Sequence, residues 1–239
     1  MRWIGGPVVG FDTETTGVDV DVDRIVTAAV VRRDADGRVT TATWLIDPGV
    51  EIPAAAAAIH GITTERARAH GCPPAAAVEE IATVLADALR RGEPVVAYNA
   101  AFDLSLLDAE LRRHGLPRLA ERIGGEPRAI LDPLVLDRHL DRYRRGKRRL
   151  GDLCAHYGIS TRDLHTADVD VLATLEVLAA IARCHPAIAD LELAELHDLQ
   201  VLAHRQWAEG YNHWRTAQGL PGPGAGLGWP SRDPRAPSR

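Results

Sequence analysis

The chain has 239 residues, of which 46% are hydrophobic and 26% are charged, and its formal net charge is -5. This composition is typical of a globular protein with room for one large domain or two small ones. No apolar run approaches the roughly 20 residues of a membrane span, and the N-terminus resembles no secretory signal, so we expect no membrane association. Three widely spaced cysteines favour neither a disulfide framework nor a zinc site. They suit a reducing compartment, and we expect a cytoplasmic protein.

The order of strand-like and helical segments predicts an α/β fold. A strand over 7–15 precedes two β-branched runs, 24–33 and 38–46, which are joined by an Asp-Gly turn typical of a hairpin. The remaining predicted elements begin with a short helix that starts at 63–65, a helix over 74–91, a strand over 94–98 and a helix over 102–114. A strand over 128–135 that runs into another helix follows, and then helices over 150–157 and 168–184. Because a three-strand meander precedes the alternation, we expect a mixed five-stranded sheet flanked by helices.

Composition divides the chain into three segments. Residues 1–185 form the predicted α/β domain, 186–218 a helical extension, and 219–239 a Gly/Pro-rich segment expected to be a flexible tail. Within the extension, Trp207, Tyr211 and Trp214 fall on one helical stripe. This stripe favours docking of the extension onto the domain. The alternative is that the stripe forms a surface for a partner or for self-association.

Four carboxylates fall at the ends of predicted elements. Asp12 and Glu14 lie two apart on the first strand and so share one face, Asp103 follows the fourth strand, and Asp170 begins the long helix. The carboxyl ends of neighbouring parallel strands meet at one edge of a sheet, so these side chains can converge there. Such hard oxygen ligands suit Mg²⁺ or Mn²⁺.

Each part of this pattern has a simpler explanation. Asp12 and Glu14 fit an exposed edge pair, and Asp103 fits a helix N-cap. His165, which lies five residues before Asp170, fits a surface histidine. A purely structural cluster of several unpaired like charges would cost multiple kcal/mol, which disfavours that explanation for the set as a whole.

Three ordered motifs resemble those of the DnaQ-like DEDDh family of 3′→5′ exonucleases. They are Phe-Asp-Thr-Glu-Thr-Thr-Gly at 11–17, Asn-Ala-Ala-Phe-Asp at 99–103, and His-x-Ala-x-x-Asp at 165–170. Supporting likenesses lie at 59–62 and 146–154, and the resemblance spans about residues 7 to 182. Within the family, the proofreading branch of bacterial replicative polymerases is most similar. The resemblance implies a ribonuclease H-like fold and hydrolysis that uses two divalent metal ions, Mg²⁺ or Mn²⁺.

Carried over by position, the resemblance gives each motif residue a role. Asp12, Glu14 and Asp170 would bind the metals directly, with Asp12 bridging both, and Asp103 would act on the second metal through water. His165 would take the proton from the attacking water, a task that suits an imidazole whose pKa is near neutral.

The resemblance also implies contacts to the substrate. Thr15 and the backbone around Thr13 would meet the 3′-terminal nucleotide, and His60 and Ile62 would line its base. Asn99 would also bind substrate, and Phe102 would offer a stacking face. Core packing explains Ile62 and Phe102 equally well. The family usually has histidine before the asparagine of the second motif, where this chain has a tyrosine, residue 98.

A basic run between 138 and 149 suggests a track for a phosphate backbone. It contains Arg138, Arg142, Arg144, Arg145, Lys147, Arg148 and Arg149, opposed by Asp141. The leading hypothesis is therefore a 3′→5′ exonuclease that releases nucleoside monophosphates from single-stranded DNA in proofreading or repair. The alternatives are an exoribonuclease of the same family that acts on RNA 3′ ends, and a non-catalytic binding subunit of a DNA polymerase.

Overall fold

The hairpin expected at Asp36-Gly37 joins the second and third strands of a five-stranded mixed sheet. The computed structural model describes residues 3–160 and 166–231. The strands are β1 (Val8–Thr15), β2 (Ile25–Arg33), β3 (Val39–Leu45), β4 (Val95–Val96) and β5 (Ile130–Leu131). Their order is β3-β2-β1-β4-β5, with β1 to β3 antiparallel and β4 and β5 parallel to β1. This arrangement confirms the predicted fold class.

Ten helices are present in the described ranges. They are α1 (Ala54–His60), α2 (Thr64–His70), α3 (Pro74–Arg90), α4 (Ala100–Arg113), α5 (Leu119–Ile123), α6 (Pro133–Leu140), α7 (Leu150–His156), α8 (Ala167–Cys184), α9 (Pro186–Ala189) and α10 (Leu193–Ala217). The short helices α1 and α5 have no counterpart among the predicted elements, because five to seven residues are too few to show helical periodicity. None of the helices in the described ranges is both long and apolar enough to cross a membrane.

The two faces of β1 belong to different hydrophobic clusters. Val9 and Phe11 pack into a cluster with side chains of α3 and α4. Val8, on the other face, packs against a second cluster that contains residues of α8, α7 and α10. Since successive side chains of a strand alternate between its faces, even-numbered residues of β1 face α8 and odd-numbered residues face α4.

The C-terminal helix α10 covers the edge of the sheet at β5. The fully buried side chain of Gln200 accepts a hydrogen bond from the backbone N–H of Asp132 (2.7 Å) and donates one to the carbonyl of Ile130 (3.2 Å). These two backbone groups are the ones that an additional strand would use. One amide side chain therefore completes the hydrogen bonding of the edge strand.

The segment that follows α10 lies back against it. Asn212 exchanges two hydrogen bonds with the backbone of Ala225, and the ring of His204 bonds the carbonyl of Gly226 (3.0 Å). Trp229 is 6% exposed and its ring lies 5.1 Å from that of His197. Through residue 231 these contacts differ from the expected flexible tail. The sequence-based expectation rested on Gly and Pro content and overlooked the tryptophan as an anchor.

Replacing Gln200 by leucine should destabilise the protein by about 2–4 kcal/mol, because the backbone groups of residues 130 and 132 lose their buried partners. Urea denaturation followed by circular dichroism measures this loss. The matched control is Gln206→Leu, at an exposed position of the same helix, which should change stability by less than about 0.5 kcal/mol. Equal stability of the two variants would contradict the proposed role of the amide.

Candidate active site

Three carboxylates converge where α8 crosses the end of β1. One oxygen from each of Asp12, Glu14 and Asp170 lies within 4.8 Å of the other two. Asp12 and Glu14 share a face of β1, and Asp170 is in the first turn of α8. The spacing of two on a strand and the helix start therefore produce the convergence expected from the sequence. These oxygens are close enough together to hold a divalent cation.

Gly10 permits the close approach of α8. A β-carbon at this position would lie 2.3 Å from Cγ1 of Val171 and 3.4 Å from the side chain of Leu175. Because Val171 is adjacent to Asp170, a larger residue on β1 would push away the start of the helix that carries this carboxylate. The glycine is thus a structural requirement of the carboxylate group and was not singled out from the sequence.

Asp103 lies beside the group of three and not within it. It is in the first turn of α4, on the face of the sheet occupied by Thr13, whose hydroxyl donates a 2.6 Å hydrogen bond to Oδ1 of Asp103. Asn99, not Asp103, is the N-cap residue of α4, which removes the simplest alternative for this aspartate. Its position still lets its charge act on Asp12.

Asp132 holds the turn that leads into α4. Its carboxylate accepts hydrogen bonds from the backbone N–H groups of Asn99 (3.0 Å), Ala100 (2.9 Å) and Leu134 (2.9 Å). Asn99 adopts a left-handed conformation with φ of 62°, which asparagine tolerates better than most residues. One buried side chain thus caps both α4 and α6. The sequence contains the signal, an aspartate directly before a proline at a helix start, but we did not predict its link to α4.

Burial and mutual repulsion raise the pKa values of the carboxylates. The pKa of Asp12 is raised well above its usual range by burial, with further repulsion from Asp103, Asp170 and Glu14. Burial and the charges of Asp170 and Asp103 raise the pKa of Glu14 to about 7. The pKa of Asp103 is also raised to about 7, mainly by burial, against the lowering effect of the Thr13 hydroxyl. Negative charge at this place therefore costs free energy, which a bound cation would offset.

The residues expected to contact substrate fall into two groups. The Thr15 hydroxyl donates to the carbonyl of Gly17 (2.6 Å), and the buried His60 lies against the Thr15 backbone while its Nδ1 accepts from the N–H of Ile62 (3.2 Å). Burial lowers the pKa of His60. Ile62 packs into a small core cluster beneath α1 and α2, in keeping with the core-packing alternative.

The other group lies at the start of α4. Asn99 is exposed and Phe102 is half-buried, and both line the same cavity. The hydroxyl of Thr13 donates its hydrogen to Asp103, so its oxygen and its backbone remain for a nucleotide. His165, the expected general base, lies outside the described residues.

Part of the basic run is tied to the interior. Arg144 and Arg148 both pair with the carboxylate of Asp137, which is fully buried, and Tyr98 donates a 2.6 Å hydrogen bond to the carbonyl of Arg148. Arg148 therefore has a structural role that the sequence did not indicate. The exposed cations of the run are Arg142, Arg145, Lys147 and Arg149.

Gly10→Ala should weaken binding of Mn²⁺ at least roughly tenfold, because displacement of α8 moves Asp170 away from the other two carboxylates. Isothermal titration calorimetry measures the affinity. Gly125→Ala is the matched control, since a β-carbon there meets no atom within 4 Å. Equal affinity of the two variants would show that the close crossing does not set the carboxylate geometry.

The metal-free protein should lose stability as the pH rises from about 4.5 to about 7. Glu14 has a model-peptide pKa of 4.5 and a folded-state pKa of about 7, so the folded state holds the extra proton in this window. Glu14 contributes on the order of 1–2 kcal/mol to the loss, because its partial exposure to solvent screens the repulsion. Thermal denaturation in a chelating buffer measures it, and Glu14→Gln should flatten the decline. A decline of unchanged slope in this variant would refute the assignment.

Comparison with known proteins identifies relatives of the chain. The family model described as Exonuclease matches residues 9–178. A PolC-type DNA polymerase III from Streptococcus pneumoniae is 26% identical over 196 residues, which are 82% of this chain and 12% of the polymerase. The chain thus spans about one eighth of the length of this relative.

Solved structures share the fold. A complex of exonuclease I from E. coli with single-stranded DNA and zinc has a TM-score of 0.64 at 23% identity, over 89% of this chain and 45% of that one. Exonuclease I from Methylocaldum szegediense has a TM-score of 0.59 at 26% identity, over 84% of this chain and 43% of that one. With the family model spanning β1 to most of α8, the expected family and enzyme class are confirmed: the chain belongs to the exonuclease family, in its DnaQ-like group.

Proposed function

We propose that this chain is a 3′→5′ exonuclease that releases nucleoside monophosphates from single-stranded DNA. The observation that carries the proposal is the convergence of Asp12, Glu14 and Asp170 within 4.8 Å at the end of β1. In a chain of the exonuclease family, this is the group of side chains suited to phosphodiester hydrolysis.

The donor set fits hard divalent cations. Burial and mutual repulsion raise the pKa values of Asp12 and Glu14, so a bound cation would stabilise their charged forms. Asp12, Glu14 and Asp170 offer only oxygen ligands, which hard cations prefer. Two bound Mg²⁺ or Mn²⁺ ions would stabilise the charge that develops on the phosphate and lower the pKa of a water molecule. The charges of Asp103, Asp170 and Glu14 all act on Asp12, so Asp12 is the residue we propose to contact both ions.

Asp103 completes the site from the opposite face of β1. The Thr13 hydroxyl fixes the orientation of its carboxylate, and Asp132 fixes the start of the helix on which it lies. This support makes Asp103 a rigid acceptor, suited to holding a water molecule of the second ion. We propose His165 as the base that removes the proton from the attacking water, by its place five residues before Asp170.

The substrate would enter where Thr15 and His60 meet on one side and Asn99 and Phe102 lie on the other. The half-buried ring of Phe102 offers a face for any base, which suits an enzyme without sequence preference. Exonuclease I of E. coli has been solved with dT13 and with dA16, and this favours DNA as the substrate class.

A second candidate follows from the PolC-type relatives. The matched part is 12% of a DNA polymerase III, so this chain would act as the proofreading exonuclease of a polymerase that binds it as a partner. This role uses the same site chemistry and differs in the need for a partner chain. The alternative is an exoribonuclease with RNA as its substrate. The site chemistry does not distinguish the two sugars, because attack by water does not involve the 2′-hydroxyl.

The proposal is tested with 5′-labelled single-stranded DNA, a matched RNA and Mn²⁺ or Mg²⁺. The products should shorten stepwise from the 3′ end, and DNA should be degraded faster than RNA. Asp12→Asn should lower kcat by about a thousandfold or more, since it removes charge stabilisation worth several kcal/mol.

The control is Glu51→Gln, an exposed acid outside the site, which should retain wild-type kcat. Chelation should abolish cleavage and readdition of Mn²⁺ should restore it. Failure to degrade either substrate with both metals would reject catalysis and favour a binding subunit. If RNA is degraded faster than DNA, RNA replaces DNA as the proposed substrate.

A further inference from the structure

A cavity of about 400 Å³ opens at the start of α4, between the α/β domain and the C-terminal segment. Its residues come from the loop after β1, the start of α4, α10 and the chain beyond α10. They include Asn99 and Phe102 at the start of α4, His204 and Trp207 of α10, and Gly226 beyond it. Asn99 and Phe102 are also residues that we propose to contact substrate, so the cavity joins the proposed substrate entrance to α10.

The wall contributed by the C-terminal segment is well defined. The His204 ring bonds the Gly226 carbonyl, and Asn212 bonds both backbone groups of Ala225. Gly224 lies so close to Asn212 that a β-carbon there would lie 2.1 Å from its Oδ1. The segment is therefore held against α10 along its length and forms a fixed boundary of the cavity.

A row of aromatic rings continues from the cavity along α10. The rings of Trp207 and Tyr211 are stacked, with centroids 5.5 Å apart and planes inclined by 13°, and the Trp214 ring follows at 5.8 Å. Trp214 is 50% exposed. We call these three residues the aromatic row.

Two arginines accompany the aromatic row. The guanidinium of Arg138 lies 3.7 Å from the centre of the Trp207 ring, and that of Arg215 lies 5.8 Å from the centre of the Tyr211 ring. Aromatic faces interleaved with guanidinium groups complement a polymer of bases and phosphates. Arg215 also donates to the carbonyls of Pro221 and Gly222, so Arg138 is the cation that a phosphate of the strand would meet. A purely apolar protein helix would cover Arg138 without supplying an anion, which disfavours it as the occupant.

We propose that the cavity and the aromatic row bind the nucleotides upstream of the cleaved bond in a single strand. The cavity receives the nucleotide next to the scissile phosphate, and the exposed end of the row stacks bases farther from the 3′ end. This inference rests on the proposed function and extends it: α10 sets the length of strand that the enzyme holds. Strands too short to reach α10 should therefore bind more weakly.

The test compares dT12 with thymidine 5′-(4-nitrophenyl) phosphate, a substrate that carries no nucleotide upstream of the cleaved bond. Tyr211→Ala combined with Trp214→Ala should raise KM for dT12 about tenfold with kcat near the wild-type value, because base–aromatic stacking is lost. Hydrolysis of the small ester reports that the carboxylate site is assembled. Leu202→Ala, at an exposed apolar position of α10, is the control for changes of this helix alone.

Binding is measured separately from turnover by quenching of tryptophan fluorescence with dT12 in Ca²⁺ buffer. Two results support the inference, whether or not cleavage is observed. The amplitude of quenching should be smaller in Trp214→Phe than in the wild type, and the Kd for dT12 should rise in the double variant. Unchanged Kd and KM for dT12 in the double variant overturn it and leave the row as a protein-binding surface. Absence of ester and dT12 hydrolysis, by contrast, counts against the proposed function.

Discussion

The close crossing of α8 over β1 is the constraint on which the candidate active site depends. Asp12 and Glu14 share a strand face by the geometry of the β-strand alone, but Asp170 reaches them because position 10 has no side chain. The sheet provides two carboxylates and the helix the third. Their repulsion is tolerated because the packing of Val171 and Leu175 against the sheet holds the helix in place.

The positions of the candidate site residues were predictable from local rules, and their supports were not. Spacing and element order were enough to bring Asp12, Glu14 and Asp170 together and to place Asp103 nearby. The roles of Gly10, Asp132 and Gln200 were not apparent, because each depends on a tertiary contact with a residue distant in sequence. Arg148 shows the same limit: a run of cations looks solvated in sequence, yet its partner Asp137 is buried.

The C-terminal region is coupled to the site through Asp132. Its carboxylate caps α4 and lies 3.4 Å from the indole nitrogen of Trp229, while its backbone N–H bonds Gln200. The residues that follow the family-matched part, 9–178, are thus in contact with the turn that carries the second motif. Substitutions in α10 can therefore affect the position of Asp103 without any contact to Asp12, Glu14 or Asp170.

The amide of Gln200 has a further consequence at the level of assembly. An uncovered edge strand is a template on which a strand from another chain can pair, and proteins avoid this by covering or blocking such edges. Here a side chain occupies the N–H of Asp132 and the C=O of Ile130 that the incoming strand would need. The sheet is therefore closed to extension on the β5 side, and α10 protects the protein against edge-to-edge aggregation there.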